Sequence, residues 1–307
     1  MLESLSVVAQ PVITLFLMMA VGFMLEKKGH MSEEISARLS FILLYIGGPC
    51  VLVDSLQKLE GGPNMLPTIG TGLGLSSVYF LTSIAVSMLF WKHAGRDRRD
   101  TLRFGSVFPN CSFMGLPLML SIYGPYGAIY AVPMIAVFNI LQWTFGVWVM
   151  GGKELINVKK AILNPGTLSV AIGLGLFALG WKLPAPIGNT VYYLGGLNTP
   201  VAMLVIGAQM ARVDLASTFR KKELYGASLL KLLMFPALFA LITLALRVER
   251  SLLVALVLLA ACPTAGTTGI FAQRYERDTS SAAQSITLST LLSLLTLPLV
   301  AAIIDWL

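Results

Sequence analysis

Two apolar stretches of this 307-residue sequence combine helix-breaking residues with polar side chains. The first, residues 103–120, reads RFGSVFPNCSFMGLPLML, and the second, residues 261–271, reads ACPTAGTTGIF. Proline removes a backbone donor and clashes with the preceding turn, and glycine lowers the cost of leaving helical geometry. A helix break is therefore predicted in each stretch. The predicted helix-breaking residues are Pro109, Gly115, Pro117, Pro263, Gly266 and Gly269.

A break inside an apolar helix creates a position where an anion can bind. Backbone N–H groups are exposed where the second half-helix begins, and the helix dipole adds partial positive charge there. A carboxylate can bind at this position without an arginine or lysine, and amide or hydroxyl side chains can complete its coordination. The alternative is a proline kink whose hydroxyl groups bond back to their own helix. The candidate substrate-binding residues of the two stretches are Asn110, Ser112, Thr264, Thr267 and Thr268.

Three further polar residues lie inside other apolar segments. Asn139 and Gln142, in VFNILQW, are three positions apart and so share one face of a helix. They are predicted either to line the substrate pocket or to form a hydrogen bond between helices. Lys231 is a candidate functional group because ionic residues inside a membrane span are costly. It is expected to attract an anionic substrate, or else to extend toward the interface or a backbone carbonyl.

The composition places these stretches in a lipid bilayer. Apolar residues make up 56% of the chain and charged residues 12%, with a mean hydropathy of +0.79. A soluble protein carries roughly a quarter charged residues, so an ordinary cytoplasmic enzyme, a disordered chain and a nucleic-acid-binding domain are excluded. One helical span needs about 20 apolar residues. Ten spans are predicted, at about 7–25, 35–57, 65–91, 101–122, 126–150, 165–181, 187–210, 223–246, 251–272 and 280–304.

The basic residues predict the orientation of these spans. Most of the 22 lysines and arginines lie in one set of alternating loops. The positive-inside rule places those loops in the cytoplasm. A multi-pass protein of the cell (inner) membrane with both termini extracytoplasmic is therefore expected.

Proline spacing relates the two halves of the chain. The pairs are Pro11 and Pro165, Pro49 and Pro200, and Pro109 and Pro263, at offsets of 154, 151 and 154 residues. Because each half has five spans, the second copy must run in the opposite direction, as in the inverted repeats of secondary transporters. The alternative is coincidence, since prolines are common in membrane helices. The predicted units are a repeat at 1–150, a cytoplasmic linker at 151–164 and a second repeat at 165–307, with Pro49 and Pro200 kinking helices that face a cavity.

Four short segments carry a family resemblance: FPNCSFMGLPL, NTPVAML, LKLLMFP and ACPTAGTTGIF. Together they resemble the auxin efflux carrier family, which includes the plant PIN carriers and bacterial permeases. The resemblance implies an all-α polytopic fold of ten transmembrane helices in a 5+5 inverted repeat, as in bile-acid symporters and sodium/proton antiporters. It further implies a homodimer, a scaffold of spans 1, 2, 6 and 7, and a transport domain of spans 3–5 and 8–10 in which broken helices 4 and 9 cross.

The same resemblance implies substrate-binding roles for two asparagines. The family's asparagine after the fourth-span proline falls on Asn110, and the fifth-span asparagine falls on Asn139. The long hydrophilic loop of the plant members is replaced by the short segment GGKELINVKKAILNP. This difference argues against the kinase-regulated control of the plant type.

These observations predict a secondary carrier for small organic anions such as mono- or dicarboxylates. No Asp or Glu lies in 104–121 or 255–273. Carboxylates titrate or bind hard cations, so their absence favours uniport without a cofactor or metal. A sodium site built from carbonyls, Asn and Thr stays open, as does a proton-coupled symporter. An anion channel is less favoured, because no charge ring or filter motif is found.

An enzyme is not expected. The sequence has no GxSxG or HExxH motif, and its two histidines, His30 and His93, lie in predicted cytoplasmic loops. The expected partners are the organic anion, the lipid bilayer and a second copy of the chain. Nucleic acid is not an expected partner.

Overall fold

A computed structural model describes residues 2–59, 65–157, 159 and 162–306. The predicted linker at 151–164 therefore lies partly outside the described residues. Regular structure in the described chain is helical, apart from one isolated bridge between Pro109 and Thr264. The α-helices are α1 (Leu2–Lys27), α2 (Glu33–Ile42), α3 (Gly48–Gln57), α4 (Leu66–Ser87), α5 (Arg96–Val107), α6 (Leu116–Tyr123), α7 (Gly127–Leu141), α8 (Val147–Gly151), α9 (Pro165–Ala178), α10 (Ala185–Gly196), α11 (Asn198–Arg212), α12 (Leu215–Arg220), α13 (Lys222–Leu229), α14 (Phe235–Ala245), α15 (Arg250–Ala260), α16 (Thr267–Arg274) and α17 (Thr279–Trp306).

Four wider π-helical turns lie in the described chain, three of which join consecutive helices directly, while the one at Cys111–Gly115 starts the helix that continues as α6. They are Leu43–Gly47, Cys111–Gly115, Gln142–Gly146 and Leu230–Met234. A π turn leaves one backbone position out of the regular hydrogen-bond ladder, and such turns are frequent at functional sites. Three of the four turns contain residues that the sequence singled out for chemistry: Ser112, Gln142 and Lys231.

Seven helical segments of the described chain are long and apolar enough to cross a membrane. They are Val7–Lys27, Glu33–Gln57, Leu66–Ser87, Cys111–Gly151, Ala185–Arg212, Lys222–Ala245 and Thr279–Ile304. Two apolar helices are shorter, Pro165–Ala178 and Arg250–Ala260. The protein is thus an all-helical polytopic membrane protein. The predicted fifth span and the second half of the predicted fourth fall within Cys111–Gly151. The predicted sixth span corresponds to Pro165–Ala178, and Arg250–Ala260 covers only the first half of the predicted ninth.

The segment Cys111–Gly151 is too long for one crossing. Its 41 residues correspond to about 60 Å of helix, twice the hydrocarbon thickness of a bilayer. The chain turns at Gly124, whose positive φ of 60° suits glycine. Beyond the turn α7 packs against α6, and the rings of Tyr123 and Tyr130 lie 5.1 Å apart. The segment therefore folds back on itself.

Polar residues start several helices. The side-chain oxygens of Ser32, Asn164, Asp214 and Glu249 accept hydrogen bonds from backbone N–H groups in the first turns of α2, α9, α12 and α15. Such caps satisfy donors that have no partner within the helix. The chain thus begins these helices at defined positions near the ends of the apolar segments.

Two ion pairs tie the start of α5 to the start of α17. Arg98 lies 3.4 Å from Asp278, and Arg277 lies 2.7 Å from Asp97. Burial raises the pKa of Asp278, but hydrogen bonds from Ser281 and Arg98 outweigh this effect and hold the pKa below its ordinary value. The carboxylate is therefore charged at neutral pH. The two halves of the chain are joined at this end of the molecule.

Glycines allow α1 and α11 to pack with their backbones in contact. A Cβ atom on Gly207 would overlap the carbonyl group of Met19, and one on Gly22 would overlap the carbonyl group of Leu204. Small residues permit such close approach between membrane helices. The two helices cannot keep this separation if either glycine gains a side chain.

We expect Gly207→Ala to lower the thermal stability of the detergent-purified protein. Overpacking costs about 1–3 kcal/mol, and here the obstacle is a backbone rather than a flexible side chain. Gly74→Ala is the control, because Gly74 is an exposed helical glycine with no atom within 4 Å of its Cβ position. Equal melting temperatures for the two variants would contradict the packing of α1 on α11.

Candidate functional site

The two proline-containing stretches cross in the interior of the protein. Helix α5 ends at Val107, before an extended Phe108, and α15 ends at Ala260, before a turn that leads to Pro263. The backbone N–H of Asn110 donates to the carbonyl of Pro263 at 2.7 Å, and the N–H of Ala265 donates to the carbonyl of Phe108 at 3.0 Å. These two bonds form a short antiparallel bridge. The crossing is therefore fixed by backbone hydrogen bonds on both sides.

Asn110 caps the half-helix that follows the first break. Its Oδ1 atom accepts a hydrogen bond of 3.3 Å from the backbone N–H of Phe113, in the π turn Cys111–Gly115. The residue is buried, with 5% of its surface exposed. Its Nδ2 group makes no hydrogen bond within the described chain. The amide thus holds the start of the helix while keeping a donor for another partner.

A cavity of about 1030 Å³ lies beside the crossing. Five predicted substrate-binding residues line it: Asn110, Ser112, Asn139, Gln142 and Thr267. Apolar surface comes from Phe113, Phe138, Trp143 and Ile270. The combination of apolar walls with a few polar groups is typical of small-molecule sites.

Gln142 and Thr267 connect the fifth predicted span to α16, the half-helix that follows the second break. The hydroxyl of Thr267 donates to Oε1 of Gln142 at 2.7 Å, and both residues are buried. Thr267 is the first residue of α16. This bond combines the two alternatives for Gln142, since the residue lines the cavity and also links helices.

Basic side chains surround one end of the cavity. Arg212, Lys221 and Arg274 are among its lining residues, together with the acidic Glu33 and Asp214. All five lie at helix ends or in short connections. No residue of the connections around 124–126, 180–184 or 247–249 lines the cavity. The described cavity is therefore lined by chain connections on the side that carries these basic residues and not by those on the opposite side.

Thr264 and Thr268 do not line the cavity, unlike the other five predicted substrate-binding residues. The hydroxyl of Thr264 donates to the carbonyl of Gly105 at 3.1 Å. The methyl groups of both threonines face the position that a Cβ atom of Gly105 would occupy. The two threonines therefore pack against α5 near its end.

The breaks are also shorter than the sequence predicts. Pro109 and Pro263 lie in the interrupted segments, and Gly266 caps the start of α16. Gly115 and Pro117 instead lie in the continuous passage from the π turn to α6. Proline is tolerated there because the π turn leaves a backbone position out of the regular hydrogen-bond ladder.

Glycine in the first half-helix serves packing. A Cβ atom on Gly115 would lie 2.6 Å from Cδ2 of Leu259. Gly269 likewise lies inside α16 rather than in a break. The predicted break residues Gly115, Pro117 and Gly269 therefore belong to helices.

Pro49 and Pro200 each follow an interruption. Pro49 stands in the first turn of α3, directly after the π turn Leu43–Gly47, and Pro200 is the third residue of α11. Both of these helices contribute to the cavity wall, α3 with Pro49 itself and α11 with Asn198.

Lys231 lies outside the cavity lining, and its contacts match the alternative of a hydrogen bond to a backbone carbonyl. Its side chain is fully buried, and its Nζ atom donates to the hydroxyl of Tyr79 at 2.8 Å and to the carbonyl of Ala260 at 3.1 Å. Ala260 is the last residue of α15, three residues before Pro263. The amino group of Lys231 therefore stands at the carboxyl end of a half-helix, where the dipole presents partial negative charge.

Sequence reasoning missed two asparagines on the cavity wall, Asn164 and Asn198. Each stands shortly before a proline, in NP and NTP, as Asn110 stands directly after one. Asparagine beside proline is typical of helix starts. This asparagine–proline pattern, which three asparagines of the cavity share, could have identified Asn164 and Asn198 from the sequence.

The geometry defines a class of membrane protein: a polytopic helical protein with interrupted helices that cross beside a buried cavity. The family model described as membrane transport protein matches residues 7–157 and 153–301. The chain belongs to this family, the auxin efflux carrier family.

Individual relatives agree with this assignment. An uncharacterized transporter of Methanothermobacter thermautotrophicus is 24% identical over 94% of this chain and 96% of its own. One from Methanocaldococcus jannaschii is 23% identical over the same shares of the two chains, 94% and 96%. Auxin efflux carrier component 8 of Arabidopsis thaliana is 30% identical over 38% of this chain and 33% of its own. The protein is therefore an integral membrane protein of a transporter family.

Proposed function

We propose that this protein is a secondary transporter that moves small organic anions, mono- or dicarboxylates, across the cell (inner) membrane. The observation that carries the proposal is the cavity beside the crossing, where two half-helices begin and Asn110 offers an unused donor. Half-helix starts near the middle of a membrane bind anionic groups in transporters. The substrate carboxylate binds at the start of the half-helix after Asn110, and Gln142 and Thr267 stand close to the start of the second.

The proposed architecture is a ten-helix, 5+5 inverted repeat. Helices α5 with α6, and α15 with α16, each form one broken span around the crossing. Spans 1, 2, 6 and 7 form a scaffold, and spans 3–5 and 8–10 form a transport domain that moves against it by an elevator or rocking motion. The close packing of α1 on α11 supports a rigid scaffold. A homodimer through this scaffold is part of the proposal.

The orientation of the cavity indicates which state of the proposed transport cycle this conformation represents. One end of the cavity is lined by Arg212, Lys221 and Arg274, which belong to the basic loops assigned to the cytoplasm. We therefore assign this conformation to the inward-facing state, with both termini extracytoplasmic. The basic residues raise the local concentration of anions at this end.

Uniport is the proposed mode of transport. No acidic residue lies in 104–121 or 255–273, so the crossing has no carboxylate to carry a proton or bind sodium. Lys231, behind the crossing, donates to the carbonyl of Ala260 and adds no acidic group that could couple an ion to the substrate. The substrate then moves with its own negative charge.

Uptake into proteoliposomes tests this proposal. We expect an inside-positive potential to drive accumulation of radiolabelled lactate, malonate or indole-3-acetate, since 100 mV is worth about 2.3 kcal/mol per elementary charge. A sodium or proton gradient without a potential is expected to have no effect. Uptake that requires either ion gradient would establish a coupled symporter instead, and no uptake of any carboxylate would overturn the proposed substrate class.

A further inference from the structure

Asn198 carries the only side chain on the described cavity wall in which both polar atoms of an amide are buried without a hydrogen-bond partner. The residue has 1% of its surface exposed, and neither Oδ1 nor Nδ2 is bonded. It begins α11 after the turn at Leu197. Buried amides are normally bonded, and an unpaired one costs free energy that a partner would recover.

Two glycines lie beside the amide of Asn198. Gly47 and Gly48, at the end of the π turn before α3, face it. A Cβ atom on Gly47 would lie 3.6 Å from both Cα and Oδ1 of Asn198, and one on Gly48 would lie 3.8 Å from Oδ1. Glycine has no polar side chain to offer, so this amide gains no partner from that wall.

Asn164 provides the contrast within the same cavity. Its Oδ1 accepts from the backbone N–H of Thr167 at 2.9 Å, and its Nδ2 donates to the Thr167 hydroxyl at 2.8 Å. Its amide is thus used within the protein. The amide of Asn198 is not.

We propose that Asn198 binds a second polar group of the substrate, and that this group is a hydroxyl. The inference rests on the proposed function, in which the carboxylate binds beside Asn110. A hydroxyl can donate to Oδ1 and accept from Nδ2 at once. A second carboxylate could only accept and would meet Oδ1 with like partial charge, while an indole N–H could only donate and would leave Nδ2 unpaired.

The substrate class that follows is the hydroxycarboxylates. Asn110 belongs to the broken fourth span and Asn198 to a scaffold helix, so the two polar ends of such a substrate contact both parts of the proposed transport machinery. A site built to bond a hydroxyl discriminates strongly against the analogue that lacks it, because the amide then stays unpaired.

The test compares matched ligand pairs on the detergent-purified protein: lactate against propionate, and malate against succinate. We expect the wild type to bind the hydroxylated member at least about tenfold more tightly. Asn198→Leu should bring the two members of each pair to equal affinity while keeping carboxylate binding. Because it removes unpaired buried atoms without changing the volume much, Asn198→Leu should also melt no lower than the wild type. Asn198→Ala serves as a second variant.

Asn164→Ser is the matched control, since serine keeps the helix cap, and it should preserve the discrimination. Equal affinities for lactate and propionate in the wild type would overturn the role of Asn198 but leave carboxylate transport intact. So would discrimination that persists in Asn198→Leu and Asn198→Ala. Failure of every carboxylate to bind would overturn both this inference and the proposed function.

Discussion

Replacing Asn110 by aspartate is expected to abolish carboxylate binding while the protein still folds. Aspartate is as good a helix cap as asparagine, so the hydrogen bond from the N–H of Phe113 is kept. The added negative charge, however, stands where the substrate carboxylate is proposed to bind. Two like charges at contact in a partly buried site repel by several kcal/mol. We expect at least about a hundredfold loss of affinity, measured by ligand-induced thermal stabilisation.

Asn110→Ala tests the loss of the Nδ2 donor without the added negative charge of aspartate. This variant loses the Nδ2 donor and the cap together, and a hydrogen bond to a charged group is worth about 1.5–3 kcal/mol. Affinity should fall about 10- to 100-fold, with a lower melting temperature from the lost cap. Asn164→Asp is the control for charge, because it adds the same carboxylate to another capping asparagine on the cavity wall. Unchanged affinity in Asn110→Asp would remove Asn110 from the site.

Replacing Lys231 by methionine is expected to stop transport without unfolding the protein. Methionine matches the length of the aliphatic stem and removes a charge that is costly to bury, and such replacements are often neutral or stabilising. The hydroxyl of Tyr79 loses its donor, and the carbonyl of Ala260 keeps only the longer hydrogen bond of 3.4 Å from that hydroxyl, so the end of α15 is held less firmly beside the crossing. We expect uptake in proteoliposomes to fall at least about tenfold, while the melting temperature changes by only a few degrees.

Lys222→Met is the control for lysine replacement. Lys222 is exposed at the start of α13, and its replacement should leave both uptake and stability unchanged. Normal uptake by Lys231→Met would show that transport does not require the amino group of Lys231. Uptake that becomes dependent on sodium would instead show that a cation is required at the end of α15.

The sequence predicts the positions of the breaks better than their extent. Pro109 and Pro263 mark them correctly because proline removes a backbone donor wherever it stands. Gly115 and Gly269 misled the prediction, since glycine in a membrane helix also serves close packing. The contact of Gly115 with Leu259 depends on a helix more than a hundred residues away, and no local pattern encodes it.

The residue type alone predicts only some of the residues that line the cavity. Asn110, Gln142 and Thr267 line the cavity, but Thr264 and Thr268 face Gly105 instead. A threonine in a broken segment has backbone carbonyls within reach, so its orientation depends on the chain that crosses it. Asn198 was missed because its importance lies in the lack of a partner, which only the assembled helices reveal.

The central claim is that a carboxylate binds at the helix starts beside the crossing. The most direct test is thermal stabilisation of the purified protein by malonate, lactate and indole-3-acetate, each compared with its methyl ester, with and without sodium. We expect at least one acid to stabilise the protein equally in both buffers, and its ester not to. Stabilisation that requires sodium, or an ester as effective as its acid, would contradict the account.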